Sequence, residues 1–302
     1  MNRTPESLPP EINGLLSRRS LLQTASCGFG YMALMGMCGE AAARDDTYKN
    51  PLAVRPSHFN PSAKRVIFLF MQGGPPQVDT FDYKPQLQKN GGKKIGNGTL
   101  MPSPFKFNRA GKSGLQISEA FPNLAKHADD LCLLNGMHTT NPAHPQATVL
   151  AHTGSINFVR PSVGSWVLYG LGTENNDLPG FITINPPNRL GGAQNYGSAF
   201  LPACFQGTPI GSQGASSLPN LYNRELTSAQ QRKQLDLVQK MNRELRERSG
   251  VNDELDGVIE SFELAFRMQG KVPEVMDIKN ESQKTLANYG IGRGKASDAF
   301  GK

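Results

Sequence analysis

Two short segments carry most of the side chains able to do chemistry. The first is Gly73-Gly74-Pro75-Pro76-Gln77-Val78-Asp79-Thr80-Phe81-Asp82. Asp79 and Asp82 stand beside a glycine turn. Hard divalent cations prefer carboxylate and other oxygen ligands, so the pair reads as a metal-binding candidate. The alternative is a polar loop in which the same two carboxylates cap turns or a helix start. The second segment is His138-Thr139-Thr140-Asn141-Pro142-Ala143-His144-Pro145-Gln146, followed by His152 and Thr153-Gly154-Ser155. It holds three of the chain's five histidines. Pro145 suits the first position of a helix, which places His144 at a helix N-terminus. Unpaired N–H groups at such an end favour phosphate or sulfate. The alternative is a set of loop histidines without a ligand.

Both segments follow apolar runs that would position them. Residues 65–71, Arg-Val-Ile-Phe-Leu-Phe-Met, are apolar on both faces and stop at Gly73-Gly74. That pattern marks a buried parallel strand, and ligands bind beyond the carboxyl ends of such strands. Residues 131–135 form a second such run and 181–184 a third, ending at Pro186-Pro187. The expectation is an α/β fold with these three runs as neighbours in one mainly parallel sheet flanked by helices. The loops bearing Asp79 and His144 would then leave the same sheet edge and approach within about 10 Å of each other, near enough to share a metal or an anion.

The rest of the chain is read as support. Residues 83–115, rich in Lys, Gly and Asn, form a surface excursion, and residues 117–127 suggest a short helix with Ser118 as its cap. Leu235, Val238, Met241 and Leu245 recur at helical spacing between Ser228 and Ser249, with Ser228 and Gln231 resembling a capping box and Gly250 as the stop. Leu255, Ile259, Phe262 and Phe266 do the same between Asp253 and Met268. Both are amphipathic helices suited to packing rather than catalysis.

The beginning of the chain reads as an address. Ser17-Arg18-Arg19-Ser20-Leu21-Leu22 is a twin-arginine pattern, a weakly apolar stretch follows, and Ala41-Ala42-Ala43 resembles a cleavage site. Residues 1–43 are thus expected to be a signal for Tat export, with a periplasmic or extracellular mature protein and a linker over 44–63. The apolar stretch falls short of the roughly 20 residues that span a bilayer, so no integral membrane span is expected in the mature chain. Other readings of these residues are a short amphipathic helix and a lipid anchor on Cys27 or Cys38. Cys132 sits in an apolar run and is expected in the core. The net charge is +7, but no dense basic block interleaves with aromatics, which excludes a nucleic-acid reading. Anionic small molecules or polysaccharide esters are compatible partners.

Taken together, Phe68 to Pro85, His144, Thr153-Gly154-Ser155, Gly164-Ser165-Trp166, residues 178–184 and Glu263-Leu264-Ala265-Phe266-Arg267-Met268 resemble the secreted bacterial DUF1501 family over about residues 17–300. That family resembles the sulfatase and alkaline-phosphatase-like superfamily. The resemblance implies a parallel sheet between helices and metal-assisted hydrolysis of sulfate or phosphate esters. Asp79, Asp82 and His144 would be ligands of a divalent metal, and His144 would act as the catalytic residue facing the anionic group. Counted back from Thr153-Gly154, His144 falls about where sulfatases carry their modified nucleophile. Pro76 stands where the family usually has serine. The resemblance also implies that residues 64–302 are the N-terminal part of such a domain, incomplete at its C-terminus, with further ligands beyond. The rival expectation is a non-catalytic exported binding or structural protein, or an inactive paralogue.

Overall fold

The structure, a computed structural model, describes residues 50–211, 218, 221, 223 and 225–301. The expected signal over 1–43 and the first part of the expected linker, 44–49, lie outside the described residues. The remainder of that linker is partly fixed. Asn50 Oδ1 accepts a hydrogen bond from Leu52 N–H at 2.8 Å, and Arg55 N–H donates to the Leu171 carbonyl at 2.9 Å. Leu52 is buried with Leu168, Cys204 and Phe205 in the core cluster, against which Phe181, Leu201 and Leu264 pack.

The expected extended parallel sheet is not what the described residues form. Residues 65–71 form no strand, and none of their backbone groups is paired among the described residues. Val66 is 70% exposed, Ile67 79% and Leu69 86%. The run leads through Gly73-Gly74 into the single-turn helix α1 (Gln77–Thr80), and α2 (Pro85–Lys89) follows. Residues 131–135 also form no strand, and Leu134 is 66% exposed. Cys132 is correspondingly exposed rather than in the core, and both Cys132 and the buried Cys204 are free thiols. The physical reason is a shortage of partners. A parallel strand is held by ladders on its edges, and the described chain brings no second strand alongside either run.

Three two-stranded sheets stand in place of one large one. The hairpin β1 (Lys94–Ile95) and β2 (Gly98–Thr99) is antiparallel. So is β3 (Phe107–Ala110) with β4 (Leu115–Ser118), in a register pairing Phe107 with Ser118. This second hairpin corrects the helix expected over 117–127. Ile117 and Ser118 are each 1% exposed on β4, and the helical part starts later, as a 3-10 segment over Leu124–Asp130. Asp129, from that segment, accepts N–H bonds from Lys112 at 3.0 Å and Ser113 at 2.8 Å. These two bonds hold the hairpin turn and keep the Asp129 carboxyl below its ordinary range. The third expected strand is present: β5 (Ile182–Ile184) pairs in parallel with β6 (Thr208–Ile210).

Between the hairpins and β5 lie α3 (His144–Thr153) and α4 (Val163–Leu171). The two longest helices among the described residues follow β6. Helix α5 (Ser228–Ser249) has the expected bounds, but its cap lies one residue earlier. Thr227 accepts from Gln230 N–H, and the Gln230 side chain accepts from Thr227 N–H at 3.0 Å. Helix α6 (Asp253–Val275) starts on an Asn252 cap and continues beyond Met268 through Pro273. The pair is fastened by polar side chains. Arg232 makes a two-pronged bond to Glu263 at 2.8 and 3.0 Å. Gln239, 1% exposed, donates to the Ile259 carbonyl at 2.8 Å and to Glu263 at 3.1 Å. Arg246 meets Asp256 at 2.6 Å. Within α6 itself, Arg267 meets the buried Glu260. Short helices α7 (Gln283–Asn288) and α8 (Lys295–Gly301) close the described chain.

Candidate functional site

The loop after residues 65–71 is shaped by two left-handed residues, Gly73 (φ 89°) and Gly74 (φ 65°). Side chains with a Cβ rarely adopt that conformation. The chain then turns into α1, where Asp79 N–H donates to the Pro76 carbonyl at 3.1 Å and Asp82 N–H to the Gln77 carbonyl at 2.9 Å. Thr80 is buried, with its hydroxyl 3.2 Å from the Pro76 oxygen. Asp79 is half-buried, and its carboxylate has no hydrogen-bond partner among the described residues. Asp82 is engaged: Lys84 Nζ lies 2.9 Å from Oδ2, and Asn135 Nδ2 donates to Oδ1 at 3.3 Å.

The second loop runs from Asn135 to His144. Asn141 Oδ1 accepts from Ala143 N–H at 2.9 Å, which turns the chain into α3. His144 is the first residue of that helix and Pro145 the second, one place later than expected for Pro145. Ala143, at the cap position, provides no side-chain acceptor. The Thr148 hydroxyl donates to the His144 carbonyl at 2.7 Å. Among the described residues, the N–H groups of His144 and Gln146 have no partner at this end, and the His144 side chain is exposed.

The two loops meet. Asn135 reaches Asp82 from the end of the second apolar run, and a methyl group on Gly74 would lie 3.6 Å from His144 Cε1. The 65–71 run lies beside α3 as well. The His152 ring sits edge-on to Phe70 at 4.7 Å and to Phe68 at 5.3 Å. Its Nδ1 is 2.8 Å from the Thr148 carbonyl oxygen, so Nδ1 carries the proton. His152 is therefore a packing residue. His138 is exposed, with Nδ1 3.4 Å from the Gly136 oxygen.

Asp79, Asp82 and His144 thus occupy adjoining loops without forming a coordination set. Among the described residues, no three or more His, Cys, Asp or Glu side chains are grouped to hold a metal ion. The sequence reading missed Asn135 and Lys84, which each engage one oxygen of Asp82. Asn135 carried a signal, being the polar residue that ends the second apolar run. No helix among the described residues is long and apolar enough to cross a membrane.

Residues 63–302 match the family model described as protein of unknown function DUF1501. No curated protein matches the chain, and no solved structure does either.

Proposed function

The chain belongs to the DUF1501 family, and from that premise we propose that it is an exported, sulfatase-like protein that binds and hydrolyses sulfate or phosphate esters. The observation that carries this reading is the meeting of the two motif loops, through Asn135 and Asp82 and through Gly74 and His144. An ester oxyanion at the start of α3 meets the open N–H groups of His144 and Gln146 and the positive end of the helix. The left-handed Gly73-Gly74 turn carries no side chain that would block it. The exposed His144 imidazole acts there as general base toward water or as acid toward the leaving oxygen.

The sulfatase-like resemblance also implies a divalent metal, which supplies Lewis acidity when bound. The described residues do not complete such a site, and Asp82 is already committed to Lys84 and Asn135. Asp79 is the free carboxylate.

A second reading, binding without turnover, is favoured by that same engagement of Asp82 with Lys84 and Asn135. Turnover of p-nitrophenyl sulfate and p-nitrophenyl phosphate, with and without added divalent ions, separates the two. Hydrolysis that disappears in His144→Ala supports the enzyme. Binding of the esters without hydrolysis under every ionic condition supports the second reading, and neither binding nor hydrolysis overturns both. Export through the pattern at Arg18-Arg19 is part of the proposal. Replacing both arginines by lysine should leave the protein in the cytoplasm, and unchanged export would refute it.

A further inference from the structure

A small pocket lies at the opposite end of α3 from His144. It encloses about 70 Å³ between the loop after α3 and the 3-10 segment Gly192–Tyr196. Val149, Ser155, Asn157, Phe158, Arg160 and Gln194 contribute to its lining. Helix α3 ends at Gly154, whose left-handed φ of 72° swings the chain around. Ser155 Oγ accepts from Phe158 N–H at 3.1 Å, which fixes the loop. Just past Arg160 the chain is anchored, since Ser162 N–H donates to the Gly197 carbonyl at 3.0 Å and Ser165 Oγ to the same oxygen at 3.0 Å. Both walls are therefore held by local hydrogen bonds.

Among the described residues, Arg160 is the one charged residue of the lining. Its guanidinium lies over the Phe158 ring at 5.8 Å and makes no ion pair among the described residues. An unpaired guanidinium offers a planar fork of donors suited to carboxylate or sulfate. Its full charge exceeds the partial negative charge of about one half at the end of α3. The amides of Asn157 and Gln194 add polar partners, and Phe158, 69% exposed, adds a flat apolar face. Charge, amides and an open aromatic face together match a sugar ring bearing an anionic group.

We propose that this pocket is a secondary subsite for an anionic saccharide unit, so that the ester substrate is an anionic polysaccharide lying along α3. The proposal rests on the ester reading of the His144 end and specifies its substrate class. Thr153 lies nine positions after His144, which places the two ends about 14 Å apart at 1.5 Å per residue. A short ester reaches one end, and a polymer reaches both.

The test is direct binding, without turnover, of dextran sulfate, a carboxylated polygalacturonate and uncharged dextran to the full chain. Wild type and Arg160→Gln are compared with Arg109→Gln, which removes an equal charge from β3. The expected result is binding of at least one anionic polymer, weakened about tenfold by Arg160→Gln and little changed by Arg109→Gln, with dextran unbound. Preference for one anionic polymer identifies sulfate or carboxylate as the recognised group. Equal weakening by both variants would mean bulk charge attraction and overturn the proposal, as would no weakening by Arg160→Gln or no binding of either anionic polymer. Absence of p-nitrophenyl ester turnover would count against the hydrolase reading while leaving this binding comparison readable.

Discussion

Gly74 and His144 share one small space: a methyl group on the glycine would stand 3.6 Å from His144 Cε1. The turn that ends one apolar run and the first residue of α3 are thereby adjacent.

Gly74→Ala tests that adjacency. At φ 65° the added Cβ strains the backbone, at a cost of about 1 kcal/mol, and the methyl comes into van der Waals contact with the imidazole, filling space beside it. Gly73→Ala is the control, since its φ of 89° is equally unfavourable but its Cβ would meet nothing within 4 Å. Both variants should melt at lower temperature than wild type. Only Gly74→Ala should also weaken p-nitrophenyl phosphate binding severalfold. Equal binding losses in the two would show that the contact with His144 has no bearing on the site.

The bond from Asn135 to Asp82 should register as a coupling between the loops. A double-mutant cycle on Asp82→Ala and Asn135→Ala is expected to give about 0.5–1 kcal/mol in urea unfolding. A coupling of zero would mean that the two loops are held together by other contacts.

The helix pair should be acid-labile. Arg232 first, and Gln239 with it, hold the Glu263 carboxyl below its usual 4.5. An acid with a lowered folded pKa contributes its stability fully above the unfolded value and loses it as pH falls through the folded one. Urea midpoints should therefore drop below about pH 4.5, and Glu263→Gln should flatten that part of the profile while lowering stability near neutrality. An identical acid limb in the variant would assign the lability to other carboxylates.

The two described cysteines should differ sharply in reactivity. Burial pushes the Cys204 thiol up to about 12, whereas Cys132 is exposed. Brief alkylation of the native protein near pH 8 should modify Cys132 and spare Cys204, because the thiolate is the reactive form. Peptide mass spectrometry reads the result, and early modification of Cys204 would mean that the core around Phe205 opens readily.

Helices were the most legible part of the sequence, because Leu235, Val238, Met241 and Leu245 repeat with a period no strand can share. The cap was misread by one residue. Thr227-x-x-Gln230 and Ser228-x-x-Gln231 both fit a capping box, and only coordinates separate them. The run 65–71 announced strand propensity but not a partner, and pairing is a property of two segments. The 117–127 misassignment has a similar cause, since Asp129 fixes the β3–β4 turn across 16 and 17 residues. At the site, the expected route to a meeting of the two loops, a shared sheet edge, is absent among the described residues, and the loops touch instead through Asn135 and Asp82 and beside Gly74 and His144. Nor could the sequence foresee that Lys84 and Asn135 occupy Asp82.

The ion pairs between α5 and α6 have a mechanical consequence. Arg246 and Asp256 lie near the connecting turn, and Arg232 and Glu263 lie farther along the pair. Sliding one helix past the other by a single turn, about 5.4 Å, would break both links together and strand Asp256, 7% exposed, without its arginine. Unpaired buried charge is costly enough to forbid such shear. The two helices are geared to each other like a toothed rack, and any displacement transmitted through them is that of a stiff lever pivoting as a whole.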